Sequence, residues 1–250
     1  MIRSDGRNPE ELRPVTIEPG YLLYAEGSAL IKTGNTTILC AVTVEDGVPQ
    51  FARGTGSGWI TAEYSMLPRS TQTRTRRERT RIGGRTAEIQ RLIGRSLRSI
   101  CRLDLLGERT FIVDCDAIQA DGGTRTAAIT GAYVALAQAM HKLTEDGSLP
   151  ASPLRCAVAA TSAGVIEDIP MLDLNYEEDS GAEVDFNVVM TAEGELVEVQ
   201  GTGESHPFTR QAMDDLLNLA EGGIRSLFDV QKAALAQAGI VLPATAEPSP

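Results

Sequence analysis

The hydrophobic and polar positions of this chain change rhythm along its length, and each change marks an element. Residues 14–45 are rich in β-branched and apolar side chains. Within them GSALIKTGNTTILCAVTV holds two β-rich runs around Gly34-Asn35, which predicts a hairpin turn. Glycine-rich residues 51–68 predict a loop leading into a short strand. SMLPRSTQTRTRRERTRIGGRT has no apolar period at all and reads as an exposed, mobile loop. Over 86–101 the rhythm becomes helical, with Ile89, Leu92, Ile93, Leu97, Ile100 and Cys101 on one face.

TFIVDCDAI (110–118) predicts another strand, and the small residues of Arg125–Met140 a helix that packs closely on a sheet. Four further strands are expected in RCAVAATSAGVI, IPMLDLNY, AEVDFNVVMT and ELVEVQGT, with a hairpin turn at AEGE. Residues 209–238 form one helix, or two broken at Gly222-Gly223, with Met213, Leu216, Leu217, Ala220, Ile224 and Leu227 inward. PATAEPSP is too poor in apolar residues to pack. This order predicts a mixed α/β (α+β layered) fold. The division expected is a single domain over 1–240 and a disordered tail over 241–250. No strong internal repeat is visible.

Composition changes this picture little. A hydrophobic content of 42% supports a sizeable core. No apolar window of ~18 residues suggests a membrane span, and MIRSDGRNPEELRP has no apolar core of a secretory signal. Cys40, Cys101, Cys115 and Cys156 lack CxxC spacing and sit in apolar settings, the usage of a reducing cytoplasm. With two histidines, His141 and His206, they make no typical zinc site.

Charge changes it more. The net −11 argues against a polyanionic partner, but its distribution does not. From Arg69 to Arg102 stand eleven arginines against two acids, Glu78 and Glu88, so that segment is +9 and the rest of the chain −20. Only three of the 23 basic residues are lysine. Arginine is the side chain suited to bidentate phosphate contact.

Three constellations carry candidate chemistry. Gly122-Gly123-Thr124-Arg125-Thr126 lies at a predicted helix N-terminus, where unpaired amides and bare backbone attract an anion. Thr124 or Thr126 could instead simply cap the helix. Asp179 and Asp185 stand six apart, the first on a loop, the second near the start of a strand at Val184. They could converge on a divalent cation such as Mg²⁺ or share a proton, or belong to a solvated acidic turn. Arg85 opens the helix after the cationic loop, where with Arg125 it could clamp one phosphate from two sides.

These residues, with RSDGR (3–7), GSALIKTGNTTILCAV (27–42), GRTAEIQRLIGRSLR (84–98), DCDAIQADGGTRTAAITGA (114–132), DLNYEEDSGAEVDFNVVM (173–190) and VEVQGTGE (197–204), resemble the ribonuclease PH family over about residues 2–240. The resemblance implies a ribosomal-protein-S5-domain-2-like fold with mixed sheets packed against helices, and a homohexamer built as a trimer of dimers. It implies a phosphorolytic 3′→5′ exoribonuclease that trims tRNA precursors and releases nucleoside diphosphates, reversibly. Inorganic phosphate would be held by Arg85, Gly123, Thr124 and Arg125. Asp179 and Asp185 would hold the divalent metal and support catalysis. Arg69, Arg74, Arg76, Arg77 and Arg79 would bind the tRNA body.

Overall fold

Residues 3–78 and 81–241 are described by a computed structural model of the chain. The predicted hairpin founds the first sheet. β1 (Val15–Pro19), β2 (Gly27–Thr33) and β3 (Thr36–Asp46) are antiparallel neighbours. Gly34 adopts φ +54°, so two residues suffice to turn β2 into β3. β4 (Trp59–Met66) then lies parallel to β5 (Arg109–Gln119), giving the order β1-β2-β3-β5-β4. A parallel pair needs a crossover, and α1 (Gly84–Ser99) supplies it. Its predicted stripe is buried, with Ile100 and Cys101 just past the helix end.

The second sheet has the order β7-β6-β8-β9, built from β6 (Val158–Ile166), β7 (Ile169–Leu172), β8 (Val184–Thr191) and β9 (Leu196–Gly203). Between the two sheets runs α2 (Thr124–Glu145), which is buried on every face from Thr126 to Ala137. That position explains its lack of amphipathic period. It also explains its small residues: a Cβ on Gly131 would come within 2.7 Å of Ile31, and one on Gly27 within 2.1 Å of the Ala135 carbonyl. The core therefore passes through α2 from one sheet to the other.

α4 (Arg210–Gln237) closes the second sheet. Leu216, Ala220, Ile224 and Leu227 are buried, while Met213 and Leu217 pack partly buried beside them. Burial of each large side chain on this face contributes about 1.5–3 kcal/mol. The helix is single and unbroken at Gly222-Gly223. Gly223 serves packing instead, since a Cβ there would lie 2.9 Å from Leu172 Cδ2.

Two expectations need correction. The strand expected over IPMLDLNY stops at Leu172, because Asp173 turns the backbone left-handed at φ +51°. Asp179 then sits not on a loop but on the short helix α3 (Tyr176–Gly181). Its cap is a reciprocal pair: Asn175 accepts from the Glu178 amide at 3.0 Å, and Glu178 accepts from the Asn175 amide at 3.0 Å. The expected tail lies outside the described residues from 242 onward, and Val241 before it is exposed. All four cysteines are buried free thiols, and burial raises Cys156 to about 11.

Candidate active site

The mouth of α2 is where the candidates meet. Gly123 forms its N-cap with φ +65°, and Gly122 before it has φ +75°, so both favour glycine. Gly122 also faces a close wall: an added Cβ would lie 2.5 Å from the Leu174 carbonyl and 2.9 Å from the Tyr176 amide. The reading in which a threonine merely caps the helix does not hold. Among the described residues no side chain caps α2. Thr124 Oγ1 instead accepts from the Tyr64 hydroxyl at 2.9 Å, and Thr126 Oγ1 donates to the Gly123 carbonyl at 2.9 Å. Such uncapped amides at a helix N-terminus can take an anion.

Arg125, in the first turn of α2, is held from one side. Its Nη1 donates to Gln200 Oε1 at 3.0 Å and to Glu88 Oε1 at 3.3 Å, and Gln200 Nε2 donates to the same Glu88 oxygen at 3.0 Å. α1 and β9 thereby orient a guanidinium that starts from α2. Arg85, in the first turn of α1, is exposed and makes no side-chain hydrogen bond among the described residues. Its charge, with that of Arg125, nevertheless acts on Tyr64, Asp179 and Asp185, so these five groups lie near one another.

Both carboxylates are raised above the ordinary aspartate range. Burial is the main cause for Asp179, followed by the negative charge of Asp185, with Arg85 and Arg125 opposing. Burial also leads for Asp185, where Glu204 adds repulsion while Arg125, Arg85 and a 3.2 Å hydrogen bond from Asn187 oppose it. Perturbed carboxylates of this kind mark functional sites. A pair of hard oxygen donors suits Mg²⁺, which is commonly bound through one or two carboxylates plus substrate phosphates. Among the described residues no group of three or more His, Cys, Asp or Glu side chains gathers to form a complete protein cage.

Behind the glycine loop stands a clamp that no spacing announces. Arg13 donates to both oxygens of Asp173, at 2.7 and 3.0 Å, and to the carbonyls of Asp121 and Gly122. Arg3, buried, donates to Glu178 at 2.6 and 2.8 Å and to the carbonyls of Leu172 and Asp173. The first ties the glycine loop to the chain after β7, the second ties the N-terminal segment to the helix carrying Asp179. Arg3, Arg13, Tyr64, Glu88, Asp173 and Gln200 all escape sequence reading. Arg3, Glu88, Asp173 and Gln200 lie inside the quoted motifs, which gave them no role, while Arg13 and Tyr64 lie outside all of them.

The arginine segment runs from the end of β4 to the start of α1, which carries Arg85. Arg69, Arg74, Arg76 and Arg77 are exposed, while Arg79 lies outside the described residues. Its beginning is fixed: Leu67 N bonds Ala117 O, Ser70 N bonds Leu67 O, and Ala120 N bonds Ser70 O, at 2.8 to 3.0 Å.

Known proteins resemble the chain throughout. The description "3′ exoribonuclease family, domain 1" matches residues 11–142, and "3′ exoribonuclease family, domain 2" matches 156–223. A ribonuclease PH of Moorella thermoacetica is 60% identical over 237 residues, covering 94% of this chain and 95% of that protein. Among solved structures, an Archaeoglobus fulgidus exosome with RNA bound superposes with a TM-score of 0.78 at 24% identity, covering 91% of each chain. Rice (Oryza sativa) Rrp46 gives 0.77 at 23% identity, covering 94% of this chain and all of that one. At such identities these two likenesses establish the fold alone, the core fold of this family. The chain belongs to the 3′ exoribonuclease family, on the ribonuclease PH branch.

Proposed function

We propose that the protein shortens RNA from its 3′ end by phosphorolysis, acting on tRNA precursors, with the mouth of α2 as the seat of inorganic phosphate. One observation carries the reading. The helix opens through two left-handed glycines with no side chain among the described residues closing it, and the charges of two arginines, Arg85 and Arg125, reach both raised carboxylates.

Phosphate rests on the amides of Gly123, Thr124 and Arg125 and is held by Arg85 and Arg125. One of its oxygens bonds to the phosphorus of the last phosphodiester. The bond from that phosphorus to the 3′ oxygen of the preceding nucleotide breaks, and that oxygen leaves and takes up a proton. The products are a nucleoside 5′-diphosphate and RNA one residue shorter. Nucleophile and target are both anionic, so positioning and charge neutralisation by the two guanidinium groups carry the rate. Asp179 and Asp185 would hold Mg²⁺, which when bound supplies further neutralisation of phosphate charge.

Arg85 and Arg125 come from the segment matching the first family description, and Asp179 and Asp185 from the second. Neither half contains the whole site, so residues 1–240 are read as one catalytic domain. The tRNA body lies along Arg69, Arg74, Arg76, Arg77 and Arg79. The assembly is taken to be the homohexamer of the family, and the compartment the cytoplasm, where the four free thiols would stay reduced. No helix among the described residues is long and apolar enough to cross a membrane.

The deciding assay incubates RNA with Mg²⁺, with and without inorganic phosphate, and identifies the nucleotide released. Phosphate-dependent release of diphosphates is expected. Monophosphates released in phosphate-free buffer would mean a hydrolytic nuclease.

A further inference from the structure

Arg85 stands where a cation is least welcome on a helix. It is the second residue of α1, and the amide end of a helix carries a positive partial charge that repels a guanidinium. The first turn of α1 holds no acidic residue to offset this. Its N-cap is Gly83, which has no side chain to accept from the free amides, and the helix opens on a second glycine, Gly84. By local sequence alone this turn should fray. Yet the site depends on it. Arg85 and Glu88 rise from it three positions apart on one face, and Glu88 accepts from Arg125 at 3.3 Å.

The missing cap comes from the arginine segment. Glu78, five positions before Gly83, accepts from the Gly83 amide at 3.0 Å through one carboxylate oxygen. Through the other it accepts from the Thr86 hydroxyl at 3.2 Å. One carboxylate thus joins the N-cap residue to the third residue of the helix, on either side of Arg85, and brings negative charge to the end that attracts it.

Gly83 fits this use. Its φ of −69° and ψ of 157° are open to any residue, so the backbone does not call for glycine. The carboxylate does, since a Cβ on Gly83 would lie 2.7 Å from Glu78 Oε1. Glu78 is also the only acid between Arg69 and Arg85. In a stretch otherwise built of cations and neutral residues, its one placement is on the helix that carries Arg85.

We infer that Glu78 is a positioning residue for phosphate: by capping α1 it orders the turn that presents Arg85 and that sets Glu88 against Arg125. The inference rests on the reading of Arg85 and Arg125 as phosphate ligands. It carries a sign that charge alone would reverse. Glu78 is an anion next to a proposed anion site, so removing its charge would tighten phosphate by Coulomb's law. Loss of the cap weakens it. Glu78 is exposed, where solvent and salt screen the Coulomb effect, so the cap decides.

The test titrates inorganic phosphate into the intact protein by calorimetry, with a chelator present and no RNA. Glu78→Ala is expected to raise the Kd for phosphate about fivefold, the factor that loss of a helix N-cap typically represents. In phosphorolysis the KM for phosphate should rise alike while the KM for RNA stays within about twofold. Glu78→Gln, whose side-chain amide can accept from Gly83 and donate to Thr86, should stay within about twofold in both. Gly83→Ala displaces the carboxylate from the other side and should lose a similar factor, adding nothing further in the double variant. Amide hydrogen exchange at the start of α1 should quicken in Glu78→Ala and Gly83→Ala but not in Glu78→Gln. The inference is overturned if Glu78→Ala binds phosphate as tightly as the wild type or more tightly, if the two substitutions act independently, or if the KM for RNA rises as much as that for phosphate. Those outcomes leave the proposed reaction standing, whereas a wild type without affinity for phosphate would sink that reaction and this inference with it.

Discussion

Arg13 and Asp173 form a two-pronged, buried ion pair 160 positions apart in the chain, with contacts of 2.7 and 3.0 Å, and the same guanidinium reaches the carbonyls of Asp121 and Gly122. The pair sits directly behind the glycine loop at the mouth of α2. It also holds Asp173 at φ +51°, a left-handed conformation that a non-glycine residue keeps only when its surroundings over-determine it.

Removing one partner leaves the other charge buried and unpaired. Asp173→Ala should therefore cost about 3–5 kcal/mol of stability, read as a lower urea midpoint. Arg13→Lys, which keeps the charge but loses the fork, should raise the KM for phosphate more than the KM for RNA, because the lost contacts support the glycine loop. Equal changes in both KM values would mean a merely structural role.

Arg85→Ala should reduce phosphorolysis at low phosphate by about 10²–10³-fold, the usual loss on deleting one preorganised donor to developing charge. Binding of tRNA should be nearly unchanged. Rates of diphosphate release against phosphate concentration check this, and undiminished turnover at limiting phosphate would contradict it.

Asp179 holds its proton more tightly in the folded protein than an ordinary aspartate does. Its charged form thus costs stability above the folded pKa, and the cost is relieved as pH falls through that value. Asp179→Asn removes the charge at every pH. With a chelator present at pH 7, its melting temperature should exceed that of the wild type while phosphorolysis is lost. A lower melting temperature would show that the carboxylate is not under strain.

Glu178 behaves oppositely. Burial pushes its carboxyl up, but hydrogen bonds from Arg3 and the Asn175 amide, with the charges of Arg3 and Arg7, outweigh this and hold it below the ordinary 4.5. A depressed pKa gives stability that is present above 4.5 and lost as pH falls through the folded value. The stability difference between wild type and Glu178→Gln should be full at pH 7 and shrink below 4.5, as pH-dependent urea unfolding would show. A difference independent of pH would remove the ionic component from the clamp.

Neutralising Arg74, Arg76 and Arg77 together should reduce the slope of log K against log salt for RNA by about 2, since each single-strand phosphate contact contributes about 0.7. Fluorescence anisotropy across a salt series measures it. An unchanged slope would take this segment out of the interface.

The sequence by itself determined the elements and the family. The stripe from Ile89 to Leu97, the hairpin at Gly34-Asn35 and the α4 face are periodic because neighbouring residues on one helix or strand meet the same core. Motifs such as GGTRT and DLNYEEDSGAEVD were enough to bring Arg85, Arg125, Asp179 and Asp185 into one hypothesis. Periodicity could not show where the strand after Ile169 would end. That boundary is set by Asp173, which Arg13 binds from the far end of the chain. Nor could it decide whether Thr124 caps α2, because its partner Tyr64 comes from β4. The chain α2–α1–β9 through Arg125, Glu88 and Gln200, and the clamps of Arg3 and Arg13, are likewise tertiary. Hydrogen bonds between side chains distant in sequence carry no period and no spacing, so they exist for the reader only once the two sheets have closed on α2.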